Sequence, residues 1–349
     1  MPTPDTDFLK TLLSTPGPSS FEARAAKVWR DQAASYGAEL RADAYGNSFA
    51  SFGGGGSPRL MLAGHIDEIG LIVTYIDDEG FIYFKPIGGW DSQQLVGQRV
   101  RILGYRGEVP AVVGKKAIHL MDAKDRNKVS KIEDLWLDIG AKDDKEAKQY
   151  VRVGDSAVIE QPYVELLNGT VVSKALDNRI GAYIVLEAAR RAAKSAAAEL
   201  VAVATVQEEI GHVGAAVAAF GLEPDLAVAV DVTHATDVPE VSKKENGDVA
   251  LGSGPVLSIG SSVHRGVFEA LISAAEGAGV AYTIEAAPLR TYTDGDDTAK
   301  ARSGVPTGVV SIPNRYMHSP NEMIHLDDLE HIIELIVAFA NRLNDNRFW

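Results

Sequence analysis

A chain of 349 residues has room for one large α/β domain carrying an insertion, or for two domains, and it can bury a substantial core. Its 48 acidic and 34 basic residues leave a formal charge of −14 with no long run of Lys and Arg, which argues against nucleic acid or an anionic membrane surface as a partner. The absence of cysteine excludes disulfide frameworks, thiolate metal sites and cysteine nucleophiles together, so any metal must be held by His and carboxylates.

The opening "MPTPDTDFLKTLLSTPGPSS" has no basic leader followed by an apolar run, and no later segment offers the roughly 18 uninterrupted apolar residues of a membrane span. A cytoplasmic location is the expectation. "TDFLKTLLS" predicts a short helix that stops at "TPGPSS", and "SFEARAAKVWRDQAASYG" a second one, with Phe21, Ala25, Val28 and Trp29 on one face and an end at Gly37. "SPRLMLAGHIDEIGLIV" begins as a buried strand running to His65. The "GGGG" of residues 53–56 before it reads as a hairpin loop, because a phosphate cradle would need a helix after the glycines.

From about Gly70 to Val164 the texture changes to short β-rich runs punctuated by Gly, such as "GFIYFKPIGGW", "QRVRILGYRGEVPAVVG" and "GDSAVIEQPYVEL". A charged piece, "KVSKIEDLWLDIGAKDDKEAKQY", interrupts them and reads as helical or mobile. This block, residues 70–164, predicts an inserted small β-barrel or sandwich domain. Residues 1–69 and 165–349 then form an α/β domain, in which "NRIGAYIVLEAARRAAKSA", "HVGAAVAAFG", "HRGVFEALISAAEGAG" and "LDDLEHIIELIVAFANRLND" read as helices. Between them "ELVAVATVQEE", "DLAVAVDVT" and "GVPTGVVSIP" read as strands. Helices alternating with nearly continuous apolar strands predict a mainly parallel sheet covered on both faces.

In open α/β sheets, ligands bind beyond the carboxyl ends of the strands. The residues predicted at those ends are His65 and Asp67, Glu208 and Glu209, Asp231, and His318; Asp177, just before a helix, can point at the same rim. Taken singly, a His there is more often structural, an Asp before a helix is usually a cap, and exposed Glu pairs are commonly solvated. Their convergence on one edge suits a pair of divalent ions bridged by a carboxylate, each ion with about three protein ligands and room for water. Glu208 and Glu209, read as adjacent strand residues, point to opposite faces and so take different roles. His and carboxylate ligands accept zinc or cobalt, and also manganese.

"AGHIDEIG", "ALDNRIG", "TVQEEIGHVGA", "DVTHATD" and "SIPNRYMHSP", in this order, resemble the tetrahedral (TET-type) metallo-aminopeptidases of peptidase family M42. The likeness runs from "TPGPSSFE" to the last helix. It implies a hydrolase with a dinuclear site in which Asp177 bridges both metals, His65 and Asp231 complete one and Glu209 and His318 the other. Asp67 would fix the tautomer of the His65 imidazole and raise its basicity. Glu208 would be the general base for a bridging water that attacks the first peptide bond of short peptides. The likeness further implies that the β insertion pairs subunits and that dimers assemble into a homododecamer.

This chain departs from the family at "TYTDGDDTAKARSGVP", where relatives commonly carry a stretch like Ser-Gly-Thr-Asp-Ala. Asp294, Asp296 and Asp297 could shape the substrate pocket or a subunit contact, an acidic solvent loop being the alternative. His212 and His234 are candidate substrate contacts or else structural, while His119, His264, His325 and His331 are expected on surfaces or near helix ends. The terminal "NRFW" reads as an interface patch or a tail. With no basic cluster at the motifs, neutral apolar N-terminal residues are favoured over acidic ones. The rival readings are a dinuclear carboxypeptidase or deacylase, an endoglucanase, and a non-catalytic scaffold. The endoglucanase is disfavoured because its two carboxyls must face each other across a sugar at about 5 to 9.5 Å.

Overall fold

A computed structural model describes residues 5–53 and 55–343; the terminal "NRFW" lies outside the described residues. Helix α1 (Thr6–Ser14) begins where the Asp5 carboxylate accepts the Phe8 N–H at 3.1 Å, and its period of three to four residues puts Phe8, Leu9, Leu12 and Leu13 into the core. Helix α2 (Ala23–Ser35) buries Ala25, Ala26, Trp29 and Ala33, and the Trp29 indole N–H donates to the Ala182 carbonyl at 2.8 Å. Between them "TPGPSS" does more than stop a helix. Gly17 N–H donates to Glu68 Oε1 at 3.0 Å and the Ser19 hydroxyl to Asp67 Oδ2 at 2.7 Å, fastening this loop to the residues after His65.

A hairpin of β1 (Glu39–Ala42) and β2 (Ser48–Phe52) precedes β3 (Arg59–His65). The chain then enters a closed barrel of β4 (Gly70–Ile76), β5 (Ile82–Ile87), β6 (Arg99–Gly104), β7 (Gly107–Lys115), β8 (Leu135–Asp138) and β9 (Ser156–Ile159), in the order β4-β5-β8-β7-β6-β9. Two short helices, α3 (Ser92–Leu95) and α4 (Asp144–Ala147), lie in its connections. Alternate residues such as Leu71 and Val73, Val100 and Ile102, and Leu135 and Leu137 fill it with an apolar core of its own. The charged stretch read as an interruption supplies "LWLD" as β8, which pairs with both β7 and β5 and closes the barrel. Its flanking charges hid a two-residue alternation only four residues long.

After the barrel come β10 (Val164–Glu165), β11 (Thr170–Ser173), α5 (Leu176–Ala192), β12 (Glu199–Thr205), α6 (Val213–Leu222), β13 (Leu226–His234) and α7 (Lys243–Asn246). They are followed by β14 (Val256–Gly260), α8 (Arg265–Ala278), β15 (Thr283–Ala287), α9 (Asp294–Thr298), β16 (Thr307–Asn314), β17 (Glu322–His325) and α10 (Leu326–Ala340). An eight-stranded sheet runs β1-β2-β12-β3-β13-β16-β14-β15, and four of its seven pairings are parallel. Alternation along β3 shows how its faces are covered: Leu60 and Leu62 join the layer of α1, α2, α5, α8 and α10, whereas Met61 and Ala63 pack with Ala218 and Leu222 of α6. Because β12 lies between β2 and β3, the "GGGG" segment does not close a hairpin; it carries the chain past an intervening strand.

Candidate metal centre

Four strands and one helix bring the titratable residues to one rim. His65 ends β3 and pairs in register with Thr205, the last residue of β12. Ala229 of β13 lies opposite Ala63, so Asp231, two residues on, is level with His65. Asp231 sits inside β13 and not after it, because pairing with β16 continues to His234 opposite Asn314. His318 follows β16 by four residues, in a turn where its φ is +57°.

Asp177 enters this rim because α5 descends very closely onto β3. A Cβ on Gly64 would lie 2.5 Å from the Gly181 carbonyl carbon, and one on Gly181 would lie 2.6 Å from the Val230 oxygen, so only hydrogen fits at either place. The Asn178 amide completes the seat, donating to the Val230 carbonyl at 2.8 Å and accepting from Gly181 N–H at 3.0 Å. Asp177 itself has non-helical angles, φ −77° and ψ 107°, which free its side chain from the helix surface.

Glu208 and Glu209 lie beyond β12, which stops at Thr205, so strand alternation does not separate them. The separation comes from a turn that starts at Gln207, φ +57°, and is tied down by Asp67: its Oδ1 accepts Glu208 N–H at 3.1 Å and its Oδ2 accepts Glu209 N–H at 3.2 Å. The two side chains then diverge. Glu209 Oε2 reaches within 3.2 Å of His318 Nε2, and Glu208 Oε2 within 3.7 Å of His65 Nε2.

Asp177 stands between the two groups. Its Oδ1 lies 3.2 Å from His65 Nε2 and its Oδ2 3.3 Å from His318 Nε2, while Asp231 Oδ1 lies 3.8 Å from His65 Nε2. His65, Asp177 and Asp231 form one triad and Asp177, Glu209 and His318 a second, each with donor atoms within 4.8 Å of one another. The side chains of all five are withdrawn from water except that of His318, which is about one-third exposed. His65 Nδ1 sits 3.3 Å from Asp67 Oδ1 but outside hydrogen-bonding geometry, so Asp67 holds the Glu208–Glu209 turn more firmly than the imidazole.

The electrostatics fit divalent cations. Burial pushes the pKa values of Glu208 and Asp231 well above the carboxylate range and raises that of Glu209, and neighbouring carboxylates add to it. Burial opposes a charge on the two histidines, yet the carboxylates outweigh it: Glu208, Asp177 and Asp67 raise His65 well above its ordinary value, and Asp177 and Glu209 raise His318 to about 11. Three carboxyls pushed toward their neutral form and two imidazoles toward their charged form, with Asp177 held below the carboxylate range by those imidazoles, indicate a site short of positive charge, which two dications would supply. Glu209 Oε1, buried without a hydrogen-bond partner, is a further acceptor left for one.

Sequence reasoning missed the residues that hold this cluster together. Glu322, fully withdrawn from water on β17, accepts Asp177 N–H at 2.9 Å on one oxygen and His318 N–H at 3.1 Å on the other. Glu22 Oε1 accepts Gln207 N–H at 3.2 Å and Ser20 N–H at 2.7 Å, linking α2 to the turn that carries Glu208. Neither has a local sequence signal, since each acts through a residue distant along the chain or through backbone. The solvent-loop reading of Asp294, Asp296 and Asp297 is overturned: Asp294 and Asp296 are buried in α9, Asp294 accepts from the Thr205 hydroxyl beside the cluster, and Asp296 Oδ1 accepts Thr291 N–H at 3.1 Å. Asp297 reaches His212, which also touches Glu208, whereas His234 is exposed at the end of β13. His119 is exposed, and His264 and His325 cap α8 and α10, as expected.

A mixed α/β domain with a closed six-stranded barrel and paired His–carboxylate triads at the sheet rim defines a metal-dependent hydrolase class. The family model described as M42 glutamyl aminopeptidase matches residues 46–335, and the chain belongs to this family. It is 32% identical to the lysyl aminopeptidase of Pyrococcus furiosus over 99% of each chain. Among solved structures it superposes on a TET aminopeptidase from the marine sediment archaeon Thaumarchaeota archaeon SCGC AB-539-E09 with a TM-score of 0.93, at 33% identity over 97% of this chain and 96% of that one. It superposes on the Pyrococcus horikoshii TET1 peptidase, which can assemble into a tetrahedron or a large octahedral shell, with a TM-score of 0.86, at 31% identity over 97% and 99%. The chain is accordingly a metal-dependent aminopeptidase, and the carboxypeptidase, endoglucanase and scaffold readings are not favoured.

Proposed function

We propose that two divalent cations would be held here, Asp177 being shared by both, with His65 and Asp231 as the further ligands of one and Glu209 and His318 of the other. The observation that carries this reading is the division of the Asp177 carboxylate, one oxygen toward each triad. Without cysteine, the donor set accepts zinc or cobalt first, and manganese. Cations held there supply Lewis acidity and favour deprotonation of water at neutral pH.

Glu208 is the general base. Its Oε2 faces the cluster, 3.7 Å from His65 Nε2, a place from which it can take a proton from water and return it to a leaving group. The water oxygen bonds to the carbonyl carbon of the first peptide bond while its proton passes to Glu208. The C–N bond then breaks, and the proton moves from Glu208 to the leaving amine. Asp67, Glu322 and Glu22 hold the backbone of Glu208, Glu209, Asp177, His318 and Gln207 in place throughout.

Residues 1–69 and 165–349 form the catalytic domain and 70–164 a dimerisation domain. Support for the latter comes from the separate barrel core and from large apolar side chains left in solvent there, among them Tyr75, Ile118, Leu120 and Val129. Dimers assemble into a dodecamer that works in the cytoplasm on short peptides. Among the described residues no helix is long and apolar enough to cross a membrane. The carboxylate-rich rim disfavours acidic N-terminal side chains.

The test compares Leu-Leu-Leu with its N-acetylated form, using protein stripped by chelator and resupplied with zinc or cobalt. Release of the first residue from the free peptide alone, and only with metal, is the expected result. Cleavage of both forms, or cleavage with chelator present, overturns the proposal.

A further inference from the structure

We propose that His212 is a positioning residue for Glu208, itself fixed by Asp297 of α9, and that it keeps one Glu208 oxygen turned toward the metal cluster. The inference rests on the reading of Glu208 as the base.

His212 Nδ1 makes a 3.0 Å hydrogen bond with Asp297 Oδ2, and His212 Nε2 lies 3.2 Å from Glu208 Oε1. Nδ1 donates to the Asp297 carboxylate and so sets the ring's orientation, while the contact of Nε2 with Glu208 Oε1 is attractive through one proton carried on either atom, since a bare Nε2 would repel an ionised carboxylate. The two oxygens of Glu208 are thus assigned: Oε1 to His212, Oε2 to the cluster, 3.7 Å from His65 Nε2. The His212 and Glu208 side chains are 11% and 9% exposed, so water competes weakly for this contact.

The backbone supports the same arrangement. Gly211 and His212 N–H both donate to the Glu208 carbonyl at 2.9 Å, making Glu208 to His212 one closed turn. Non-glycine residues with left-handed angles bracket it, Gln207 at φ +57° and His212 at φ +56°, a conformation histidine adopts more readily than most residues. The far anchor is fixed as well, because Asp296 next to Asp297 accepts from Thr291 and Tyr292 N–H at 3.1 Å each. His212 therefore ties the base to a second element across the rim, and a base displaced by about 1 Å can lose up to ~100-fold in rate.

The experiment measures kcat and KM for Leu-Leu-Leu, metal content per subunit and Tm for His212→Leu, His212→Gln, Asp297→Asn, Glu208→Gln and the Glu208→Gln/His212→Leu double variant. His212→Leu is expected to lower kcat about 10- to 100-fold, with KM within about twofold and metal content and Tm unchanged. His212→Gln, whose amide nitrogen reaches the Nε2 position, should recover most of that loss. Asp297→Asn should fall in between, and the double variant should be no slower than Glu208→Gln.

Wild-type kcat in His212→Leu, loss of metal from it, or a double variant slowed by the full His212→Leu factor beyond Glu208→Gln would each overturn the proposal. Should His212→Leu fail to fold, Asp297→Asn, altered at a part-exposed position, decides: unchanged kcat overturns it. A fully active Glu208→Gln removes the base assignment itself, whereas an inactive Glu208→Gln beside a fully active His212→Leu removes only the positioning role.

Discussion

At the scale of single residues, the adjacent acids Glu208 and Glu209 have different surroundings and should fail differently. Glu208→Gln is expected to keep both metals and its Tm while kcat falls by about 100- to 10,000-fold; isothermal titration with zinc alongside steady-state kinetics checks both halves. Glu209→Gln, changed at His318's partner, should instead weaken binding of one of two metals. Glu22 offers a pH test. Burial and the nearby Asp67 raise its pKa to about 7, so its folded form holds a proton that the unfolded chain releases near 4.5. Its contribution is therefore fully present below about 4.5 and lost as pH rises through about 7. Because one oxygen accepts both of its N–H bonds, Glu22→Gln keeps them and should be more stable than wild type at pH 8, by at most about 3 kcal/mol at ~1.4 kcal/mol per pKa unit. The gap should close by pH 4.5 in denaturant titrations at fixed metal loading. The acids and histidines at strand ends were legible because residue type and position both carried the signal. Glu22 and Glu322 were not, since nothing local distinguishes a buried acid that accepts backbone N–H groups from a solvated one.

At the scale of elements, the site depends on how closely α5 approaches β3. Gly64→Ala would place a methyl 2.5 Å from backbone, which no side-chain rotation relieves. The variant should lose about 1–3 kcal/mol of stability and bind metal more weakly, because the displaced α5 carries Asp177; Tm and metal titration read the two effects separately. Strand periodicity found β3, β12 and β16 because both faces are buried and the runs are continuously apolar. It misplaced the Glu208–Glu209 pair by extending β12 past Thr205, and it passed over β8, whose four residues are flanked by charge. The divergence of the two glutamate side chains follows from a turn that Asp67 organises, a contact between residues more than a hundred apart.

At the scale of the whole molecule, the barrel presents exposed Tyr75, Tyr105, Ile118, Leu120 and Val129 without a covering layer in the single chain. Light scattering at working concentration is expected to give the mass of twelve chains, and substitution of Ile118 and Leu120 by Glu should reduce it while leaving cleavage of Leu-Leu-Leu within about twofold, as these residues lie outside both metal triads. A monomeric wild type would remove the assembly and leave the chemistry standing. The net charge of −14 per chain disfavours binding to anionic surfaces at low salt.

Composition alone confined any metal to His and carboxylate donors, and the order of apolar runs specified a covered α/β sheet with a β-rich insertion, because burial periodicity is written locally along the chain. The five motifs identified the candidate ligands and the family. Only the tertiary structure decided which oxygen of Asp177 faces which histidine, that Glu322 clamps the backbone of Asp177 and His318 at once, and that His212 joins Glu208 to α9. Those relations depend on distances of a few ångströms between segments far apart in sequence, which strand register and close helix packing fix and which no local pattern encodes.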